Sequence, residues 1–336
     1  MPQPEALPVV YGAMRADRTQ GWRWPLAILA LIAVFILPYA LPEFFVTSLI
    51  LIMFSCYLAQ CWNLAAGYAG QLALGQTLFL TIGGYTSSVL FAKYDISPWI
   101  GMWVGGVIAA VNGVLLSAVA YRYRVNGIFF ALITLAAAQV GWGLFDHWDF
   151  IGGASGISIL LTNEPRSMTF LSRTPYYDLI AAMIAGLAIV TWHLGRSKFG
   201  QYLLALREDE VAAEATGVPT FRCKVCIIAL SAFFTALGGT FYAQYLLYIV
   251  PETMFNFEHM LGMILGTMVG GAGTVFGPVI GSTIFSTLSQ VLRSLPITNS
   301  HEMASVLKMA YALVLIVAVL RFPGGLISIV RRSSRT

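Results

Sequence analysis

Long apolar runs recur along almost the whole chain, at about residues 26–42, 44–66, 76–92, 99–120, 127–146, 176–194, 225–247 and 304–320. Each approaches the roughly 20 residues that a helix needs to cross a hydrocarbon core of about 30 Å. Two shorter runs, 259–272 and 275–292, are separated only by a glycine-rich break. A transmembrane barrel would show short alternating segments instead, because its strands present lipid and lumen faces in turn. Continuous apolar runs require a helix, whose backbone hydrogen bonds all close within the segment. Composition agrees: 58% of the residues are hydrophobic and 10% are charged, against about a quarter charged in a soluble globule. Mean hydropathy is +0.78. The expected fold is an all-α polytopic membrane protein of about ten transmembrane helices, some broken by glycine.

The first run follows Arg15, Arg18 and Arg23 as a secretory signal would, yet no small-residue cleavage site follows it. It reads as an uncleaved first span. Placing the N-terminus inside puts 14 of the 19 Lys and Arg residues on the inner side, so both termini are expected to be cytoplasmic by the positive-inside rule. The organisation is then a cytoplasmic segment 1–24, a transmembrane domain 25–322 and a basic cytoplasmic tail 323–336. Within the domain lie an outer loop at 147–175 and a cytoplasmic loop at 195–224. A net charge of +4 reflects this sidedness and a pull toward anionic lipid, not nucleic acid. Lys308 falls a few residues inside the last run, where it can snorkel to the outer surface.

Chemistry-bearing clusters are sparse. Cys223 and Cys226 form a C-x-x-C, but no second pair or histidine cluster completes a site. His147, His193, His259 and His301 lie near four different segment ends, which argues against an intramembrane enzyme and a metal centre. No G-x-x-x-x-G-K-[ST] phosphate loop is present, so the chain should bind no nucleotide itself. The spans carry no buried acid with a basic partner, as a stand-alone ion-coupled transporter would need.

Two apolar segments are interrupted in related ways, "AAGYAGQLALGQTLF" at 65–79 and "MVGGAGTVFGPVIG" at 268–281. A helix broken inside a bilayer frees backbone groups that only protein or a watery cavity can satisfy, and such breaks point to a translocation site. Gly67, Gly70, Gly75, Gly271, Gly273 and Gly277, with Asn63, Gln71 and Gln76 around the first break, are the candidate path residues. The alternative is that the glycines permit tight turns and close packing while the amides tie helices together. Gly101, Gly105, Ala109 and Gly113, at successive i+4 positions, form a small-residue stripe for helix packing.

The stretch "ALREDEVAAEATGVP" at 205–219 gathers charge in the cytoplasmic loop. Asp209 can cap a helix and Glu210 suits its positive end. Gly217 fits the left-handed position after the last turn and Pro219 blocks continuation. A two-turn helix is marginal alone, and this one has an acidic face and an Ala/Val face at Val211, Ala212, Ala213 and Ala215. It is expected to dock in a partner's groove.

Several ordered motifs carry a resemblance. "WNLAAGYAGQLALGQTLFLTIGGYTSSVL", "GGASGI", "ALREDEVAAEATGV", "LSAFFTALGGTFYAQYLLYIVPETMF" and "GTMVGGAGTVFGPVIGS" resemble the LivM-type permeases of branched-chain amino acid ABC transporters. The likeness runs from Asn63 to Gly325. It implies a non-catalytic subunit in a bacterial inner membrane that imports branched-chain or related amino acids. It also implies a second, LivH-type permease, two cytoplasmic ABC ATPases that hydrolyse the ATP, and a periplasmic or lipid-anchored binding protein. The chain itself would hold no cofactor. The resemblance maps the ATPase-coupling helix onto Arg207, Glu208, Asp209, Glu210, Ala212 and Gly217, and binding-protein docking onto Gly152, Gly153, Ser155 and Gly156. Ala73-Leu74-Gly75-Gln76 stands where many such permeases have Ser-Leu-Gly-His, which leaves urea, short amides or another small carboxylate as alternative cargoes.

Overall fold

The computed structural model describes residues 42–294, except Arg124, Asn126 and Asn163. The expected spans 26–42 (bar its last residue) and 304–320, both termini and Lys308 therefore lie outside the described residues. Within them, every long apolar run is a helix. These are α1 (Glu43–Trp62, prolonged by a π-helical turn, Asn63–Tyr68), α2 (Gln76–Tyr94), α3 (Pro98–Arg122), α4 (Ile128–His147), α5 (Thr174–Arg196) and α8 (Thr220–Leu246). The run at 259–272 forms α10 (Phe257–Gly270) and that at 275–292 forms α11 (Gly277–Ser294). Five of the helices, α1 with its π turn, α3, α4, α5 and α8, are long and apolar enough to cross a bilayer.

The loop expected at 195–224 is itself helical: α6 (Lys198–Glu208) and α7 (Glu210–Ala215) fill it. Ser197 starts α6 by accepting from the Gly200 N–H at 3.0 Å. Leu203 and Leu206 bury one side of α6, the i, i+3 spacing of a narrow apolar stripe. One short helix remains, α9 (Pro251–Met254), and two short strands, β1 (Ile157–Ser158) and β2 (Tyr248–Ile249), pair antiparallel with Ile157 opposite Ile249.

Helix α8 is the centre of the bundle, packed on α2, α3 and α1, with 67% of its most apolar stretch buried. Lipid removes the hydrophobic drive for helices to associate, so small residues that let backbones approach carry the packing. A Cβ on Gly83 of α2 would stand 2.0 Å from the Ala236 carbonyl oxygen of α8, and one on Gly239 would stand 1.9 Å from that of Leu80. The expected stripe on α3 does the same: Gly101 faces Ser87, Gly105 faces Gly83, and Gly113 faces Ala232. Helices α10 and α11 form a hairpin against α1, closed where Gly266 and Gly270 meet Gly281.

Contacts between loops are consistent with a two-ended bundle. One end joins the α2–α3 turn to the 148–167 loop through Ser97 to the Arg166 carbonyl (2.6 Å) and Trp99 to the Pro165 carbonyl (2.9 Å). The other end gathers the glycine breaks with α6 and α7.

Candidate functional site

Two backbone breaks, some 200 residues apart in sequence, meet at the α6–α7 end of the bundle. The first begins in the π turn, whose six residues are all buried. π segments inside α-helices concentrate at functional sites. Several of its freed groups are bonded within the protein. The Gly70 and Gln71 N–H groups donate to the Ala66 and Ala65 carbonyls, each at 3.1 Å. The Leu74 N–H donates to Thr134 Oγ1 at 3.0 Å, and the Trp62 indole donates to the Ala73 carbonyl at 2.8 Å. Gly75 passes so close to α4 that a Cβ there would overlap the Thr134 carbonyl.

The second break, from Gly271 to the start of α11, is held by Thr274, whose hydroxyl donates to the Gly271 carbonyl at 2.8 Å and accepts from the Gly277 N–H at 3.0 Å. Asn63 joins the two breaks. Its Oδ1 accepts from the Gly273 N–H at 2.8 Å, and its Nδ2 donates to the Thr274 carbonyl at 2.9 Å. Asn63 is fully buried, and its amide offers a donor and an acceptor at once. Gln60 adds a bond to the Val275 carbonyl at 3.3 Å.

The other two amides are buried ties as well. Gln71 Oε1 accepts from the Tyr121 hydroxyl at 2.8 Å, reaching α3. Gln76 Nε2 donates to Ser231 at 2.7 Å and Thr235 at 2.8 Å, both on α8. Ser231 passes the link on to the Cys61 carbonyl at 2.7 Å. The three amides thus hold the breaks in place through α3, α8 and, from Asn63, the backbone of the second break.

Against this junction stand α6 and α7. Arg207, near the end of α6, donates from Nη1 to the Gly67 carbonyl. The same nitrogen lies 2.5 Å from where a Cβ on Gly273 would be, and the Arg207 stem lies over Gly70. Glu208, the last residue of α6, is exposed. Asp209 caps α7, its Oδ1 accepting from the Val211 and Ala212 N–H groups at 2.9 and 3.0 Å. Gly217 follows the helix with φ +86°, the left-handed conformation expected there. Ala213 packs inward, while Val211, at 78% exposure, and Ala212 and Ala215 are open. The outward face of α7 is therefore narrower than the four-residue Ala/Val face read from the sequence, because Ala213 packs into the chain itself.

Sequence reasoning counted Lys224 only among the inner cations. It is instead buried, with its Nζ 2.6 Å from Glu210 Oε1 and 4.8 Å from the centroid of the Tyr121 ring. Its place at the start of an apolar run was the only available signal.

At the far end, between α4 and β1, Gly152 ends one short 3-10 turn (Asp149–Ile151), Gly153 and Ser155 belong to a second (Gly153–Ser155), and Gly156 ends it. The loop is ordered by β2, with the Tyr248 hydroxyl donating to the Ser155 carbonyl at 2.9 Å and Gly156 lying directly against Ile249. Among the described residues no group of three or more His, Cys, Asp and Glu could hold a metal. The four described cysteines are free thiols, with Cys223 buried and Cys226 exposed.

Comparison with known proteins places this chain in a family. The family described as "Branched-chain amino acid transport system / permease component" matches residues 44–320. The chain is 27% identical over 255 residues to the high-affinity branched-chain amino acid permease protein LivM of Salmonella typhimurium, covering 69% of this chain and 59% of that protein. It is 28% identical to LivM of Escherichia coli over 256 residues, with the same coverage. It therefore spans 59% of the length of these two relatives. It is also 24% identical to the ribose import permease RbsC of Haemophilus influenzae, over 74% of this chain and 75% of that one. No solved structure matches it. The chain belongs to the family of permease components of branched-chain amino acid transport systems, multi-pass and non-catalytic proteins of the inner membrane.

Proposed function

We propose that the chain is the permease subunit of an ABC importer, pairing with a second, LivH-type permease to form a path for branched-chain or related amino acids. Two cytoplasmic ATPases supply the work, and a periplasmic or lipid-anchored binding protein delivers the cargo at the Gly152, Gly153, Ser155 and Gly156 loop. Helix α7 is the element that enters an ATPase groove. The observation that carries this reading is its construction: a capped helix with Val211, Ala212 and Ala215 turned outward, tied through Glu210 to a buried lysine of α8. An amphipathic helix laid in a groove is a common docking mode. The path runs beside the breaks at Gly67, Gly70 and Gly75 and at Gly271, Gly273 and Gly277, whose mutual bonding lets one segment report on the other.

Branched-chain amino acids are favoured as cargo by the two LivM relatives. A sugar is the second reading, because the L-arabinose permease AraH of Azospirillum brasilense is 24% identical over 69% of this chain. Urea, short amides and small carboxylates complete the set. Competition for radiolabelled leucine uptake in vesicles holding the full complex separates them. Displacement by valine and isoleucine is expected. Vesicles that accumulate arabinose, urea or an amide but not leucine would overturn the cargo.

A further inference from the structure

We propose that Arg207 is a positioning residue that clamps both glycine breaks to the coupling loop, so that movement of α7 is passed to the path through this side chain. The inference rests on reading α7 as the coupling helix.

Three observations converge on it. First, Arg207 is exposed as Glu208 and Asp209 are, yet its Nη1 donates to the Gly67 carbonyl and its stem covers Gly70. Second, the same nitrogen lies against Gly273 of the other break, which adopts φ +80°. A Cβ at Gly273 would stand 2.5 Å from this nitrogen and 2.9 Å from the Gly67 carbonyl oxygen, so the positive φ and the Gly67 backbone favour glycine there, while the guanidinium tip fills the space left beside it. Third, the two breaks are already joined by Asn63, so a pull on Arg207 acts on both at once. Asp209, two residues on, is the cap of α7, and no flexible linker separates clamp from helix. A guanidinium suits the task, since its charge persists at any working pH and its planar fork offers several donors in fixed directions.

A clamp and a docking contact differ in what they change. Loss of a docking contact releases the ATPase. Loss of a clamp leaves the ATPase bound and hydrolysing while cargo no longer moves with it, a loss of coupling free energy between two sites.

The experiment uses the full complex in vesicles with ATP and labelled cargo, and compares Arg207→Gln, Arg207→Lys and Val211→Asp. Arg207→Gln is expected to keep the ATPases in co-purification and to keep hydrolysis, while cargo moved per ATP falls about tenfold. Arg207→Lys should recover part of that ratio, because one ammonium can still donate to the Gly67 carbonyl. Val211→Asp should instead release the ATPases. The proposal is overturned if Arg207→Gln releases the ATPases as Val211→Asp does, if hydrolysis and uptake fall in proportion, or if the ratio is unchanged. Should Arg207→Gln fail to insert, Arg207→Lys carries the same ratio test, and a wild-type ratio there overturns the clamp. Retention of the ATPases by Val211→Asp counts against the coupling-helix reading alone, because the clamp is judged by the Arg207 ratio.

Discussion

The Lys224 ammonium lies 2.6 Å from the Glu210 carboxylate, and the two residues are the only link of opposite charge between α7 and α8 among the described ion pairs. Lys224 keeps 2% of its side chain exposed and Glu210 keeps 36%. The pair fixes where α7 stands on the bundle, and its unequal burial sets what happens when it is broken.

Replacing Glu210 with Gln takes from a buried ammonium the carboxylate 2.6 Å from it. The expected loss of stability is about 2 kcal/mol, below the roughly 3–5 kcal/mol of a fully buried pair because Glu210 is partly exposed. Thermal unfolding of the detergent-solubilised chain checks it. The double replacement Glu210→Gln with Lys224→Met should be more stable than Glu210→Gln alone, since the buried charge is then removed together with the carboxylate that offset it.

Asn63→Ala removes both bonds between the breaks and leaves the half-buried Gly273 N–H and Thr274 carbonyl without this partner. An unsatisfied buried group costs about 1–3 kcal/mol, and water can reach part of this pair, so the same unfolding measurement should show a loss of about 1–2 kcal/mol. Asn63→Asp should not rescue it, because a carboxylate accepts from Gly273 but offers the Thr274 carbonyl no donor.

Gly239→Ala tests the approach of α2 to α8. Its methyl would meet the Leu80 carbonyl oxygen at 1.9 Å, and backbone cannot yield as a flexible side chain can. A loss of about 1–3 kcal/mol is expected. Gly186→Ala, with nothing within 4 Å of the added carbon, is the control and should be neutral or slightly stabilising through helix propensity.

How much of this was readable beforehand follows from the range of each interaction. The helices α1 to α5, α8, α10 and α11 are written in apolar runs, and α7 is written in its own cap and stop, Asp209 and Gly217. Those signals are local. Helix α6 carries local signals too, Ser197 and the Leu203 and Leu206 pair, but its apolar stripe is too narrow to stand out in a charged loop. The junction is of another kind. Asn63 meets Gly273 across 210 residues, Arg207 meets Gly67 across 140, and Gln76 meets Ser231 across 155. Such pairings depend on how the helices are arranged, and no spacing within one segment encodes them. Composition did pick out the residues involved, because glycine and amides are costly at membrane depth unless something answers them. It could not say that the two breaks answer each other.

The central claim is that α7 is where an ATPase takes hold of this permease. Its most direct test is ATP-dependent uptake by the full complex in which Glu208 and Asp209 are both replaced by lysine, with insertion of the permease checked in the same membranes. Uptake should be abolished while the permease remains inserted, because the cap of α7 and the acidic side of the docking segment are both gone. Uptake at the wild-type rate would contradict the assignment.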